Sequence, residues 1–322
     1  MAAHGPAALP AAADRGGPRP GDPRARPGPP GPAPAPGLAT PAPALRPSAG
    51  LHHALPPLPP GGSIPGRGIS VLPRPASGLV LRLRPLGESD LLVDLFSKEV
   101  GRLTALAKGG KRSKQRFFGV LLAGHLLQMS LAPSKSGDLW RLETAAVLEP
   151  HLGLRQDFRR LLAAGPVLEL LLRATAPQDP QPGALELALI TLGRMQRAKE
   201  AAEMASALVI FLVRLLKLLG YGLNLEACLA CGRPAAEIEE PRLSLAGGLA
   251  CPACPEAQGA RPVLPGLIKS LAAALALEPG SLARLRLAPA LLPEALAFLA
   301  AFWQEITGHD LPSLSLAIKT LS

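Results

Sequence analysis

Hydrophobic and polar residues alternate from Leu79 to about Glu149, and turn residues separate the alternating runs. A period of two is typical of β-strands with one buried face, so five strands are predicted in this stretch. The first strand is expected to place its leucines on one face and its arginines on the other, with Leu79, Leu81 and Leu83 opposite Arg82 and Arg84. The other four strands are predicted at about 90–96, 102–108, 126–131 and 139–145.

A polar segment that begins with glycine, residues 109–118, interrupts the alternation after the third strand. It is expected to form a loop or a short helix beside the sheet. Five strands within some 70 residues, with an insertion after the third, are typical of a small closed barrel of the OB type. An SH3-like or other small barrel stays open as an alternative.

After Pro150 the hydrophobic period becomes helical and stays so. Helices are predicted around 154–162, 185–199 and 208–219, and two or more helices after the cysteine segment, the last at 291–306, are expected to close the chain. Gly165-Pro166 is expected to end or kink the first helix, and Gly220 is placed to stop the third. The whole is therefore predicted to be an α+β protein, an N-terminal five-stranded OB-fold barrel followed by an all-helical domain.

The first 75 residues have a different composition, with 21 of the 38 prolines and no lysine. Such a composition predicts a disordered extension. The predicted organisation is 1–75 extension, 76–150 OB domain and 151–322 helical domain, with an insert at about 225–260. A translation start near Val71 would remove the extension altogether.

Charge and hydropathy restrict the location of the protein. The net charge is +10, and the extension contributes +5 of it through seven Arg and two Asp. The extension has no uninterrupted apolar run of the kind a secretory signal needs. The most apolar stretch, 204–219, is too short for a membrane helix and contains Arg214 and Lys217. A cytoplasmic, nucleoid-associated protein without a membrane partner is expected.

The chain has four cysteines in the spacing Cys-x2-Cys-x19-Cys-x2-Cys: Cys228, Cys231, Cys251 and Cys254. This spacing is typical of a site in which four thiolates hold one zinc ion. Gly232 follows the second cysteine, and residues 242–248 are predicted to form a hairpin that carries the second pair. Four thiolates leave no open position for water, so the zinc is expected to be structural. Disulfide pairing is the alternative.

A run of cations without an acid follows the third predicted strand: Lys108, Lys111, Arg112, Lys114 and Arg116. Arg82, Arg84, Lys98 and Arg102 lie on neighbouring strands. An OB barrel presents such loops to nucleic acid, so these residues, Lys98 apart, are the predicted DNA-binding set. A merely solvated loop is the alternative. Phe117 and Phe118 are candidates for stacking on bases, or else for the barrel core.

Motifs for catalysis are missing from the sequence. It has no phosphate-binding loop, no Gly-x-Ser-x-Gly and no His-x-Glu element of a zinc deaminase. An NAD-dependent DNA ligase would need Lys-x-Asp-Gly for nucleotidyl transfer, and this too is absent. The protein is therefore predicted not to be an enzyme.

Residues 78–320 resemble the RecO family of bacterial recombination mediators. The resemblance rests on Gly87-Glu88-Ser89-Asp90, on Gly101-Arg102-Leu103, on Ala107-Lys108-Gly109-Gly110-Lys111-Arg112 with Ser113-Lys114, and on the helix from Phe211 to Tyr221 that runs into the first cysteine pair. The succession of helix, glycine, tyrosine and cysteine is the most specific of these features.

The resemblance implies a barrel that binds single- and double-stranded DNA and a helical domain that contacts the acidic C-terminal tail of single-stranded DNA-binding protein. It implies that complementary strands are annealed and that, with RecR, RecA is helped onto coated single strands, RecF being a further component of the pathway. The family's basic positions carry over to Lys108, Lys111, Arg112 and Lys114. Arg214 and Lys217 are candidates for pairing with the acidic tail. An OB-fold and zinc RNA-binding or translation-associated module remains the alternative.

Overall fold

The first five strands close into a barrel in the computed structural model, which describes residues 73–113, 115–134 and 139–321. Their bounds are β1 Arg74–Leu86, β2 Asp90–Ser97, β3 Gly101–Ala107, β4 Leu126–Pro133 and β5 Trp140–Glu149. The strand order is β1-β2-β3-β5-β4, with β4 paired back to β1 and with β3 parallel to β5. This order confirms the OB-type barrel and excludes the SH3-like alternative. Residues 1–72, where the disordered extension was predicted, lie outside the described residues.

The interior of the barrel is filled by apolar side chains that alternate along its strands. Val80, Val93, Leu95, Leu127 and Leu131 are fully buried there. Phe117 and Leu121, from the segment between β3 and β4, join the same cluster. The segment after β3 is therefore partly a core element, although its first half is polar.

The predicted alternation along β1 is wrong at one point. A β-bulge shifts the register between Val80 and Arg82, so the two faces of the strand exchange. Leu79 and Leu81 point away from the barrel interior and join the helical core, while Leu83 packs against the barrel core. The three leucines therefore do not share a face. Nothing in the hydrophobic pattern marks the extra residue.

The part of the chain after the barrel is helical. The helices within the described residues are α1 Phe158–Ala174, α2 Pro182–Arg197, α3 Ala201–Leu218, α4 Pro265–Ala276, α5 Pro279–Leu282, α6 Leu292–Thr307 and α7 Pro312–Leu321. The prediction that the helix at 291–306 closes the chain is wrong, because α7 follows after Gly308. In α7, Leu314, Ala317 and Leu321 are buried, and its N-terminal Ser313 bonds to Glu169 of α1.

Two predicted helix signals have clear outcomes. The α1 helix does not end at Gly165-Pro166; Pro166 is buried inside it. Gly220 does stop α3, since it adopts φ 88° and the Tyr221 N–H bonds to the Leu216 carbonyl. No helix within the described residues is long and apolar enough to span a membrane.

The helical core continues into both neighbouring parts. Leu79, Leu81 and Phe96 from the outer face of the barrel belong to it, as do Leu243 and Leu249 from the cysteine insert. The insert is built on a small sheet of β6 Arg242–Ser244, β7 Gly248–Ala250 and β8 Arg261–Pro262. This sheet confirms the predicted hairpin.

Candidate nucleic-acid interface and metal centre

The basic loop, residues 108–116, is held against the turn that joins β1 and β2. Asp90 accepts a hydrogen bond from the Gly109 N–H at 2.8 Å, and the Lys111 N–H donates to the Ser89 carbonyl at 2.9 Å. The Gly109 bond, followed by one from the Ser89 hydroxyl, lowers the pKa of the Asp90 carboxyl. Two motifs that are distant in sequence, Gly87-Glu88-Ser89-Asp90 and the glycines before Lys111, are therefore one structural unit.

The cations of the basic loop are presented to solvent. Lys108, Lys111, Arg112 and Arg116 are all exposed. Lys111 Nζ donates to the Gly87 carbonyl at 2.6 Å. Because the carbonyl is neutral, this hydrogen bond leaves the positive charge of the lysine unpaired. Arg112 lies 3.4 Å from Glu88, but the two side chains are 70% and 90% exposed, so this pair is weak. Lys114 lies outside the described residues. The loop thus keeps its positive charge available for an anionic partner.

The two phenylalanines after the loop have different environments. Phe117 is buried in the barrel core, and the Arg116 guanidinium lies 5.0 Å from its ring centroid. Phe118 is 79% exposed. The core interpretation is therefore correct for Phe117, whereas the ring of Phe118 is open to solvent.

Arg82 and Arg84 converge on one buried carboxylate. Arg82 Nε donates to Asp94 Oδ2 at 2.8 Å, Arg84 Nη2 to Asp94 Oδ1 at 3.0 Å, and the Thr104 hydroxyl to Oδ1 at 2.7 Å. The Asp94 side chain is only 3% exposed, while the two arginines are 51% and 43% exposed. Asp94 therefore fixes the guanidinium groups on the outer face of the barrel and leaves their outer edges to solvent.

The structure places Arg102 at the seam between barrel and helices and not with the basic loop. Its Nε donates to the Thr175 carbonyl at 2.9 Å, and its own carbonyl accepts from the Gln178 N–H at 2.8 Å. Burial lowers its pKa, although nearby Asp94 opposes the shift. Gly101 beside it adopts φ 79°, and a Cβ there would lie 2.2 Å from the Asp179 carbonyl oxygen. The Gly101-Arg102 motif therefore joins the two parts of the molecule.

The four cysteine sulfurs form one cluster, all within 4.8 Å of one another. The Sγ atoms of Cys228 and Cys254 are 3.9 Å apart, those of Cys231 and Cys251 3.7 Å, and those of Cys251 and Cys254 3.4 Å. Sulfurs at about 2.3 Å from a tetrahedral ion lie about 3.8 Å from each other, so the set fits such an ion. Disulfide pairing does not fit, because it needs about 2.05 Å and all four cysteines are free.

Backbone amides favour the thiolate form of Cys228. Burial by itself would raise the pKa of Cys228, but N–H groups from Cys231, Ala230 and Cys251 outweigh it and lower the pKa to about 6. The Cys251 N–H lies 3.3 Å from the Cys228 sulfur. Gly232, at φ 72°, makes the turn that brings the first amides into position. At Cys254 hydrogen bonds with neighbouring cysteines, first of all Cys251, raise the pKa instead, so the amides favour the thiolate form at Cys228 and not at every sulfur of the cluster.

The two cations proposed to pair with an acidic tail have partners inside the protein. Arg214 Nη1 donates to the carbonyls of Ala274 and Leu277 at 2.8 and 2.5 Å, and Lys217 Nζ to that of Leu275 at 3.3 Å. These are carbonyls at the C-terminal end of α4, which have no partner within the helix. Arg214, half-buried, therefore serves as a cap for α4.

Asp94 was not singled out from the sequence, and Asp90 was named only as part of a motif, without its role. Asp94 is an acid in the middle of an apolar strand, β2, and faces two arginines across a hairpin, which is a signal available in the pattern. The role of Asp90 depends on a contact 19 residues away, which the pattern does not show.

A barrel of the OB type with an exposed cationic loop, joined to a helical domain that carries an insert with four clustered cysteines, defines the class of this protein. Two family models match it: "Recombination protein O N terminal" over residues 75–151 and "Recombination protein O C terminal" over residues 155–315. The chain belongs to the RecO family of DNA repair and recombination proteins.

Three relatives illustrate the match. "DNA repair protein RecO" of Anaeromyxobacter dehalogenans (strain 2CP-C) is 32% identical over 238 residues, 73% of this chain and 92% of the relative. The protein of the same name from Anaeromyxobacter sp. (strain Fw109-5) is 33% identical over 239 residues, 73% of this chain and 91% of the relative. That of Syntrophus aciditrophicus (strain SB) is 27% identical over 241 residues, 74% of this chain and 92% of the relative.

Proposed function

We propose that this protein is a non-enzymatic DNA-binding recombination mediator that anneals complementary strands. The observation that carries the proposal is the basic loop: a run of solvent-exposed cations, fixed by Asp90 to the end of an OB-type barrel, in a member of a DNA repair family. Two phosphate backbones repel each other as they approach. A cationic surface that binds both lowers this repulsion, so annealing requires no nucleotide hydrolysis.

The DNA-binding set proposed is Lys108, Lys111, Arg112, Lys114 and Arg116 of the loop, with Arg82 and Arg84 as flanking contacts. Arg102 is assigned a supporting role at the seam, since its guanidinium donates to the Thr175 carbonyl. Phosphate contacts of this kind are blind to base sequence and sensitive to salt. About four contacts to a single strand give a slope of about −3 in log affinity against log salt.

The partners proposed for this activity are RecR and the acidic C-terminal tail of single-stranded DNA-binding protein, which together with the barrel would bring RecA onto coated single strands. Docking on the coat protein concentrates the mediator at its substrate. Because Arg214 is bonded to the end of α4, the tail is not assigned to it.

The metal proposed for the cysteine cluster is one zinc ion with a structural role. Cys228, Cys231, Cys251 and Cys254 would hold it, and four thiolates complete its coordination. The ion would fix the two knuckles of the insert to each other. It supplies no chemistry to annealing.

The test replaces Lys111, Arg112 and Lys114 with Glu in the full chain. We expect the variant to lose binding to single- and double-stranded DNA and to lose annealing of complementary oligonucleotides, with its thermal melting unchanged because Lys111 and Arg112 are exposed. The control is Lys269→Glu, a charge reversal of an exposed lysine in α4. Retained DNA binding by the triple variant at moderate salt would show that the loop is only solvated.

A further inference from the structure

A second exposed aromatic ring lies at the start of the helical domain. Phe158, the first residue of α1, is 71% exposed, and Leu152 and Leu161 near it are 55% and 45% exposed. Three large apolar side chains exposed within ten residues exceed the single exposed ones that are normal on a protein surface, and such patches mark interaction sites. The ring is therefore available to a partner outside the chain.

Arginines surround this ring. Arg155 and Arg159 are exposed within three residues of Phe158, and the Arg159 guanidinium has no partner among the described side chains. Arg160 is half-buried and donates to the carbonyls of Gly153 and Ala198, which fixes this turn to the end of α2. The acid in the same turn, Asp157, accepts from the Arg159 N–H at 2.8 Å.

A fourth arginine extends the charge onto α2. Gly153 packs so closely on the last turn of α2 that an added Cβ would lie 2.8 Å from the Gln196 carbonyl oxygen. Arg197, the next residue after Gln196, is exposed. Residues 152–161 together with Arg197 are called the α1 patch below, and their charge is positive.

Two contacts connect the start of the helical domain to the segment 117–125, which follows the basic loop. Arg155 Nη2 donates to the Ala123 carbonyl at 2.5 Å, and His151 Nδ1 lies 2.8 Å from the Gly124 carbonyl. Ala123 is five residues from Phe118 and Arg155 is three residues from Phe158, so the chain limits these two separations to about 18 Å and about 11 Å. With the Arg155 side chain bridging the two segments, the rings lie at most about 45 Å apart. At about 3.4 Å per stacked nucleotide this corresponds to at most about 13 nucleotides. OB barrels cover about 4–16 nucleotides of a single strand, so both rings fall within the span of one site.

We infer that a single DNA strand bound at the basic loop continues over the segment 117–125 to the α1 patch, where Phe118 and Phe158 stack on its bases and the neighbouring arginines bind its phosphates. This inference rests on the proposed DNA binding. It adds that the surface selects single-stranded over double-stranded DNA. A duplex keeps its bases stacked inside, so it gains nothing from the two rings. The surface therefore prefers single strands and holds them with bases ordered for pairing.

Nucleic acid is favoured over a protein partner by the combination of charge and exposed rings. Exposed cations lie at both ends of the inferred path, Lys108 and Arg116 in the loop and Arg155 and Arg159 in the patch, and an exposed phenylalanine lies within two residues of Arg116 and of Arg159. Cations that bind phosphates and aromatic faces that stack on bases are the two components of sequence-independent single-strand binding. A second copy of this chain is disfavoured, because two patches of the same charge repel each other.

The test measures binding of the full chain to a fluorescent dT20 strand and to a 20-base-pair duplex. Phe158→Ala is expected to weaken dT20 binding about fivefold to a hundredfold, the range for one stacked base, and duplex binding less than twofold. Phe158→Trp keeps an aromatic face and is expected to restore dT20 binding, whereas Phe158→Leu, apolar but not aromatic, is not. Leu264→Ala truncates a side chain that is 54% exposed elsewhere on the surface and serves as the control.

Several outcomes overturn the inference. Unchanged dT20 binding by Phe158→Ala, an equal loss for strand and duplex, or full restoration by Phe158→Leu each exclude stacking. Unchanged dT20 binding together with lost binding of an acidic peptide would assign the patch to a protein partner. If the wild-type chain binds neither DNA, the proposed function fails and this inference with it; if the wild type binds and the Phe158 variants match it, only this inference fails.

Discussion

The Asp90 carboxylate accepts a hydrogen bond of 2.8 Å from the backbone N–H of Gly109, 19 residues further along the chain. Gly109 adopts φ 69°, a conformation that favours glycine. Through this bond an acidic side chain holds the start of a cationic loop. The carboxylate and the loop therefore act together, although their charges are opposite.

Asp90→Ala is expected to weaken DNA binding about threefold to tenfold. Removal of a negative charge near phosphates would by itself strengthen binding, but loss of the bond to Gly109 lets the basic loop fluctuate, and ordering it on DNA then costs about 1 kcal/mol. Fluorescence anisotropy with a dT20 strand measures the effect. The matched control is Glu88→Ala, which removes an exposed acid that makes only a weak contact to Arg112. Stronger binding by both variants would show that charge alone matters.

Gly101→Ala is expected to destabilise the fold by more than about 3 kcal/mol. The φ of 79° costs a residue with a side chain about 1–2 kcal/mol, and the new Cβ would lie 2.2 Å from the Asp179 carbonyl oxygen, so the seam must separate. Gly87→Ala is the control, since φ is 55° but the space around it is open. Urea unfolding of both variants gives the comparison. Equal losses of unfolding free energy in Gly101→Ala and Gly87→Ala would mean that the close approach to Asp179 does not affect stability.

Asp94→Asn is expected to lower stability at pH 7 by about 1–3 kcal/mol. Burial would raise the pKa of the Asp94 carboxyl, but hydrogen bonds from Thr104, Arg82 and Arg84 outweigh it and lower the pKa. A carboxyl with a lowered pKa stabilises the fold above its unfolded value of about 3.9, and this stabilisation is lost as the pH falls through the folded-state pKa.

The difference in free energy of unfolding between the wild type and Asp94→Asn should therefore decrease below about pH 4. Urea midpoints at pH 7, 5 and 3 measure it. Glu88→Gln removes a carboxylate that is 90% exposed, and its midpoints are expected to follow the wild type. A difference that persists unchanged at pH 3 would contradict the role of the charged form.

Cys228→Ser is expected to lower the melting temperature and to abolish binding of one metal ion per chain. The cluster lies beside buried residues of the helical core, and Cys228 and Cys251 are themselves part of that core. Its loss therefore loosens the helices as well as the insert. Differential scanning calorimetry with metal analysis checks this. Ala253→Ser, an exposed change between the last two cysteines, is the control. An unchanged melting temperature with one ion still bound would refute the structural role.

Most of the architecture was predictable from local patterns. The five strands and the hairpin of the insert follow from alternation and from turn residues, because each strand buries one face. The bulge in β1 was not predictable. The leucines and arginines of this strand alternate in the sequence whether or not one residue is left unpaired in the sheet. The closing helix α7 was missed because its pattern is short and the more apolar α6 precedes it.

The candidate site divides in the same way. The cysteine cluster was predictable because metal ligands must occur in fixed types at short spacing. It was not predictable that Phe117 lies in the core and Phe118 in solvent, since this depends on how the chain turns after Arg116. The α1 patch shows no motif at all, and its relation to the basic loop depends on contacts such as Arg155 to Ala123.

The outer face of the barrel that carries Leu79, Leu81 and Phe96 has a consequence for how force passes through the molecule. These side chains are buried among helical residues, so the barrel has no independent outer surface at this place. If the barrel holds a DNA strand as proposed, tension on that strand would act on the packed side chains at this junction. Moving the barrel away from the helices would expose these three apolar side chains to water, and the hydrophobic effect opposes that.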